Sequence, residues 1–527
     1  MELKKANLHM DRMKCQLNTQ ITLEEDKNIS DRCPDAYGIL MDHAKIDIEE
    51  IRPMTDYVLL RGKLLYEILC KSDMPEKRLY RQMGEIPWEE KIRVEGMESM
   101  DQPQVVAALE DMKIGLINSR KINVRALINF CIQQKELYDE EILTDIVETQ
   151  KLEIKKENLQ ASVLVIDKKD VFRIKEDLEL PSVLPPIREV LYKTLDLGKV
   201  EVKILEDTIG LQGEIKLFLL YESEGEGAKL KAYETTIPFS GNVECQGCSN
   251  HMVGDIMPVV SYQNISVKED YDGEDRMLEL EMVLDIPMQI YENRNVEQIT
   301  DIYGVSQEVI LEYTNQIFKR IAEPIKSRCK ITQEIKTKST DKKILQISHI
   351  HCIPFVEEAR WKEDQFEVEG MLQVSVLYLE DGEEESYGSV KKAIPFCCPL
   401  ENVTGSPKSR FKIRPTVEQL DGVILDEYSM ELKVVLGLEI LVEDCFTEKK
   451  ISDVIMKPYA KEIQDKKAGI AVYVPGKKES LWEIGKRYGI SLDTITKVND
   501  WMEYAPGELS EKEVEAGQKL LLIREEV

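Results

Sequence analysis

Hydrophobic side chains recur along this chain with a period of two. From Phe366 to Tyr378 every second position is apolar or glycine, and most of the positions between carry polar side chains. Leu278–Ile286 and Met430–Leu438 alternate in the same way. Such alternation is typical of a strand with one buried face. The pattern therefore predicts a mainly β protein.

The alternating stretches belong to a unit that occurs three times. In each copy a glycine stands 24 residues before an Ile-Pro-aromatic tripeptide, with the pairs being Gly62 and Ile86, Gly213 and Ile237, and Gly370 and Ile394. Asp381-Gly382 suits the hairpin turn between the two strands of the third copy. Proline cannot donate to a β-ladder, so the tripeptide strand belongs at a sheet edge or a bulge. We expect the glycines to be structural, because no phosphate-loop context surrounds them.

The repeats divide the chain into modules. The prediction is an N-terminal arm at 1–25, three β-sandwich or barrel-like repeats at 26–133, 171–292 and 329–446, linkers at 134–170, 293–328 and 447–470, and a small C-terminal domain at 471–525. The linker at 293–328 is predicted to be helical and to end at Pro324. Short helices with proline in the first turn are expected within Ser30–Leu40 and Leu180–Leu191.

The C-terminal domain has a different pattern. A short strand, Ala471–Val474, precedes a capping box in which Ser480 is the N-cap and Glu483 follows three residues later. Gly489 ends this first helix, and Ser491 caps a second one. A final strand after Gly517 completes a βααβ order, so this domain is predicted to be α+β.

Composition limits the functions that fit. The chain has 99 acidic and 70 basic residues and a formal net charge of −29, which disfavours binding to nucleic acid. No apolar run reaches the length of a membrane-spanning helix, and no export signal is evident at the start. Eleven cysteines without an export signal indicate reduced thiols in a cytosol. We expect neither an obligatory disulfide nor a stoichiometric zinc ion.

Two clusters contain residue types that bind metals, but for neither does the sequence supply a full set of ligands. Cys245-Gln246-Gly247-Cys248 with His251 supplies half of a zinc site, so packing of loop cysteines is the preferred interpretation. His349 and His351 share a strand face, but no carboxylate partner is evident. No phosphate loop and no nucleophile motif is present. The prediction is a non-enzymatic interaction protein without catalytic residues, metal or cofactor.

The motifs resemble two known families. The tail, through Tyr473, Ser480–Ile484, Lys486–Gly489 and Gly517-Gln518, resembles the LysM domain. The repeats, through the glycine strand, the Ile-Pro-aromatic motif and LPSVLPPIREVL, resemble the SPOCS domain of spore-forming Firmicutes. Together they look like clostridial spore coat morphogenetic proteins. That resemblance implies a mother-cell cytosolic scaffold at the forespore surface, binding the stage IV sporulation morphogenetic ATPase mainly through its LysM domain.

Two functions remain open at this point. For a protein partner, the candidate exposed anchors on the tail are Trp482, Arg487, Trp501 and Tyr504, because Trp, Tyr and Arg dominate interface energetics. The alternative, binding of N-acetylglucosamine glycans of peptidoglycan, would use the loop of Lys478, Glu479 and Ser480. In that loop Lys478-Glu479 replace the Gly-Asp that the family usually carries.

Overall fold

The alternating sequence forms strands almost throughout. The structure, a computed structural model, describes residues 2–524 except 75–76, 148–151, 226–228, 338–341, 363–364, 383–385, 402, 404, 407–408, 459–468 and 500–508. The described residues form 24 strands and two short helices. The mainly β fold class with a small α+β tail is confirmed.

Three units of similar construction precede the tail. The first contains β1 Glu2–Asn28, β2 Ala36–Met54, β3 Tyr57–Ser72, β4 Leu79–Arg93, β5 Gln104–Asn118 and β6 Lys121–Val147. The second contains β7 Leu152–Glu179, β8 Ile187–Leu205, β9 Thr208–Ser223, β10 Leu230–Glu244, β11 Val253–Ile256, β12 Val259–Glu269 and β13 Asp275–Gly304. The third contains β14 Gln307–Ile321, β15 Ile325–Lys336, β16 Ile344–Lys362, β17 Gln365–Glu380, β18 Ser386–Leu400, β19 Arg410–Asp426 and β20 Ser429–Pro458.

Each unit is a sandwich of two antiparallel sheets. One is the repeat hairpin with the strand before it, in the orders β2-β3-β4, β8-β9-β10 and β16-β17-β18. The other is built around the last strand of the unit, β6, β13 or β20. The alternating apolar positions of both sheets face each other, so Leu278, Leu280 and Met282 are fully buried opposite Leu217 and Leu219.

The repeat glycines sit beneath the aromatic rings of their own tripeptides. Gly370 pairs directly with Phe396, and a Cβ on this glycine would lie 2.0 Å from the Phe355 carbonyl oxygen and 2.7 Å from Phe396 Cζ. Gly62 with Trp88 and Gly213 with Phe239 repeat the arrangement. The expected structural role is confirmed, because only a residue without a side chain leaves room for the bulged neighbouring strand and the ring. The tripeptide strands β4, β10 and β18 are sheet edges, as their prolines predict.

The predicted linkers are wrong, because strands run through them. Residues 293–328 are not helical: β13 continues to Gly304, and β14 and β15 flank a break that ends at Pro324. Residues 134–170 belong mainly to β6 and β7. β20 extends into the predicted 447–470 linker as far as Pro458, and residues 459–468 lie outside the described part of the chain. The arm at 1–25 is part of β1, which pairs along its length with β6. Long-range ladder pairing outweighs local helix propensity here.

The short proline helices are also wrong. Residues 31–33 and 182–184 form turns, after which β2 and β8 begin at Ala36 and Ile187. Tyr221, which follows its repeat glycine by eight residues, donates its hydroxyl to the Pro185 carbonyl at 2.9 Å. The proline segments are therefore turns that lead into β2 and β8.

The strand extensions hold the three units together. They pair as three two-stranded ribbons, β1 with β6, β7 with β13, and β14 with β20. The ribbons share an apolar core to which every unit contributes: Leu8, Met10, Ile142, Leu159, Ala161, Val163 and Phe318. Beside it, Asp11 of the first unit and Lys319 of the third form a buried ion pair, and Tyr291 of the second donates its hydroxyl to Asp11 at 3.3 Å. The units thus form one body.

The tail folds in the predicted order. It contains β21 Ile470–Tyr473, β22 Glu479–Ser480, α1 Leu481–Tyr488, α2 Leu492–Val498, β23 Glu513–Val514 and β24 Leu520–Ile523. Ser480 accepts from the Glu483 amide at 3.2 Å, and Gly489 ends α1 in the left-handed region at φ 64°. Ser491 accepts from the Thr494 amide at 3.1 Å at the start of α2. Leu481, Ile484 and Ile495 are fully buried in the small core of the domain.

Candidate functional site

Trp482 attaches the tail to the second unit. Its ring lies edge-to-face against Tyr303 with centroids 4.9 Å apart, and its indole N–H donates to Asp301 Oδ2 at 2.7 Å. Lys486 Nζ donates to the same carboxylate, and the Tyr303 hydroxyl donates to the Ile490 carbonyl at 2.9 Å. Trp482 is only 5% exposed. Its prediction as an exposed anchor is wrong, because β13 extends far enough to cover it.

The other predicted anchors have different positions. Arg487 keeps about half of its side chain exposed, while its guanidinium donates to the Tyr473 hydroxyl at 2.8 Å and to Glu479 Oε2 at 3.1 Å. It is therefore accessible but already engaged within the domain. Trp501 and Tyr504 lie outside the described residues.

The predicted glycan loop is also engaged in contacts within the domain. Lys478 pairs with Glu513, and Glu479 accepts from Tyr473 at 2.8 Å. The Tyr473 hydroxyl, together with the neighbouring Arg487, lowers the pKa of the Glu479 carboxyl. The Ser480 hydroxyl is occupied as the N-cap of α1. Binding a sugar through these polar groups would require exchanging the internal contacts for new ones.

An apolar row on the tail was missed by sequence reasoning. Ile470 and Val472 lie on the outer side of β21, Val474 follows its end, and the three are 67%, 64% and 47% exposed. Leu521 and Ile523 stand opposite two of them on β24. The period-two alternation of this stretch was the available signal, since Ala471 and Tyr473 pack against the domain core. We call these five residues the outer sheet face.

The cysteine pair of the second unit is packing rather than half of a metal site. Cys245 and Cys248 are buried, and the Cys248 thiol contacts the Leu205 carbonyl at 3.1 Å. Burial raises the pKa of the Cys245 thiol to about 11, so the thiolate that a metal requires is disfavoured. In the first unit Val94 and Met97 occupy the same turn, which is fastened by Asp56 as this one is by Asp207.

One cysteine pair contradicts the expectation of reduced thiols. Cys329 on β15 and Cys398 on β18 form a disulfide that joins the two sheets of the third unit, with their Cα atoms 5.9 Å apart. The two residues lie on strands far apart in sequence, so spacing gave no indication of the pair. The other nine cysteines are free.

The histidine strand does meet a carboxylate. His351 Nε2 lies 3.5 Å from Asp196 Oδ2, which belongs to the second unit, and His43 of the first unit lies beside it with ring centroids 6.1 Å apart. Within the described part of the chain, the ligand atoms that converge closely enough for a metal belong instead to Glu367, Glu369 and Cys397, of which the glutamates are partly buried and Cys397 is exposed. Among the described helices, none is long and apolar enough to cross a membrane.

Comparison with known families agrees with this architecture. The family model described as SipL, SPOCS domain, matches residues 35–117 and 186–268, and the LysM domain model matches 476–522. The matched stretches fall in the first unit, the second unit and the tail. No curated protein and no solved structure matches the chain. The chain therefore has a SipL-like domain combination, two SPOCS domains followed by a C-terminal LysM domain, and this combination supports a sporulation-associated protein.

Proposed function

We propose that the chain is a non-enzymatic scaffold in spore coat assembly that binds the stage IV sporulation morphogenetic ATPase through its LysM domain. It would act in the mother-cell cytoplasm, at the forespore surface. The observation that carries the proposal is the outer sheet face, whose exposed apolar side chains lie on the domain that the SipL-like architecture places at the end of the body. A contiguous exposed apolar patch on a soluble domain is a typical protein-binding surface.

The way the tail is seated supports its choice as the binding domain. Docking through Trp482 and Asp301 orients the tail on the body and leaves the outer sheet face free of those contacts. This arrangement suits a rigid adaptor.

The proposal assigns no catalytic role to the reactive side chains. The Cys245 thiol is buried and protonated, and His349 and His351 lie at the junction of the units. These positions favour packing and electrostatic roles. The adaptor function then depends on surface shape and apolar contact.

The test is a binding measurement with the full chain and the purified ATPase. Val472→Asp and the double variant Ile470→Asp/Val472→Asp should weaken binding at least tenfold, since each places a charge in the apolar contact. Val183→Asp is the matched control, because Val183 is 89% exposed on the second unit. Deletion of 470–527 should abolish binding while the units stay folded. Full-strength binding by the isolated units would contradict the proposal.

The LysM match favours one alternative, a peptidoglycan-binding protein. A pull-down on insoluble peptidoglycan with the same variants separates the two functions. Retention of the wild-type chain on peptidoglycan, lost in Glu479→Ala but kept in Val472→Asp, would support the glycan function. Binding to the ATPase that is lost in Val472→Asp but kept in Glu479→Ala would support the scaffold.

A further inference from the structure

Three of the five histidines of the chain meet where the three units join. His43 lies on β2 of the first unit, and His349 and His351 lie on β16 of the third. The rings of His43 and His351 have centroids 6.1 Å apart, and those of His349 and His351 are 6.4 Å apart. Asp196, on β8 of the second unit, completes the group. We call these four residues the junction cluster.

His349 is buried without a hydrogen-bond partner. It is 5% exposed, and its ring stacks on Phe218 of the second unit with centroids 3.9 Å apart. Neither ring nitrogen has a partner within hydrogen-bond distance, and Glu234 Oε1 stands 3.8 Å from Nδ1. All four members of the junction cluster line a cavity of about 1500 Å³ between the units. Protons have a route to the rings through this space.

Most of the carboxylates around the junction cluster already form ion pairs with basic side chains. Asp42, next to His43, pairs with Lys391 of the third unit, and Glu67 pairs with Arg81 at 2.6 Å. Glu234 is largely exposed to water. Asp196 is therefore the main counter-ion available to the three imidazole rings, and it already lies 3.5 Å from His351 Nε2.

The protonation of the three rings differs accordingly. Burial, and then the neighbouring His351, lower the pKa of His43, and the same two causes bring the pKa of His349 to about 3. Burial also opposes charge on His351, but the Asp196 carboxylate outweighs it and raises the pKa of that ring. Near neutral pH His43 and His349 are therefore neutral, and His351 is the ring of the cluster whose charged form is favoured.

We propose that the junction cluster is a proton-sensitive lock between the three units. Neutral His43 and His349 keep the junction closed, and their protonation in mildly acidic solution opens it while each sandwich stays folded. In the closed junction, charge added to these rings has only Glu234, 3.8 Å from His349 Nδ1, as an unpaired carboxylate, and opening the junction hydrates the rings more fully. A buried unpaired charge is the costliest state available to the cluster.

The sign of the pH effect follows from the directions of the shifts. His43 and His349 have lowered pKa values in the closed state, so closure is favoured above an open-state value of about 6.5 and weakens as pH falls below it. The raised pKa of His351 changes the pH dependence of closure only above this open-state value. Below it, each neutral ring shifts the closing equilibrium about tenfold per pH unit toward the open state.

Hydrogen exchange of the full chain at pH 7.5 and pH 5.5 tests the lock. After correction for intrinsic rates, segments 36–44, 191–197 and 345–352 should open at least tenfold more often at pH 5.5. The core strand segment 278–288 should not change. Equal protection of the junction at both pH values would overturn the proposal.

A variant separates the lock from general acid loosening. His43→Gln/His349→Leu should remove the pH dependence of the junction, while His9→Ala/His251→Ala, at two exposed positions, should keep it. The same dependence in the first variant would contradict the proposal. Should that variant fail to fold, NMR titration of the wild-type histidines decides: His349 resisting protonation below pH 5 supports the lock, and its titration near pH 6.5 in the closed protein refutes it.

Discussion

The Trp482 indole donates to Asp301 at 2.7 Å, across 181 residues of sequence, and this contact seats the tail on β13. Asp301→Ala removes the acceptor and the ion pair with Lys486 together. We expect destabilisation of tail docking by about 1.5–3 kcal/mol, the usual value for a hydrogen bond to a charged group. Protease release of the tail measures it. Asp493→Ala, which breaks the exposed pair with Lys497 on α2, should leave docking unchanged.

Gly370→Ala tests the packing of the repeat glycine. The new methyl group would stand 2.0 Å from the Phe355 carbonyl oxygen, so the backbone must move. We expect a loss of about 3 kcal/mol or more in the free energy of unfolding, at the upper end of overpacking. Urea unfolding gives the value. Gly115→Ala is the control, since a Cβ there meets nothing within 4 Å; equal effects at both sites would refute the account.

Phe396→Ala tests the ring that covers this glycine. Phe396 is 6% exposed and belongs to the core of the third unit. Its truncation should lower the free energy of unfolding by about 3–5 kcal/mol. Thermal unfolding should show the change, and Tyr271→Ala, at a fully exposed tyrosine, should show almost none.

The buried pair of Asp11 and Lys319 gives a test by double mutation. Lys319→Met alone leaves the buried Asp11 carboxylate with Lys135 Nζ, at 3.6 Å, as its remaining cationic partner and should cost about 3 kcal/mol. Asp11→Leu/Lys319→Met removes both charges of the close pair and should recover part of that loss, since Lys135 then loses its carboxylate. Chemical unfolding of the wild type and of the single and double variants completes the cycle. A double variant no more stable than Lys319→Met would mean that packing, rather than charge pairing, sets the cost.

The sequence patterns correctly predicted the features that depend on residues close together in the chain. The 24-residue spacing placed the repeat glycine and the Ile-Pro-aromatic tripeptide on the two strands of one hairpin, and the capping box placed Ser480 at the start of α1, because each depends on neighbours within one hairpin or one turn. The contacts of Trp482 and of the junction cluster depend instead on residues that are far apart in the sequence. Nothing near Trp482 points to Asp301, and nothing near His351 points to His43 or Asp196. The helix predicted for 293–328 is wrong, since β13 runs to Gly304 and carries Asp301 and Tyr303 to the tail.

The three ribbons also form a closed set. Ribbon one touches ribbon two, ribbon two touches ribbon three, and ribbon three returns to ribbon one through β20 and β6. A fourth ribbon would have to separate two that already touch, and loss of one ribbon would expose apolar side chains of the other two. A solenoid differs, because each of its repeats contacts only its neighbours and the array can lengthen by one repeat at a time.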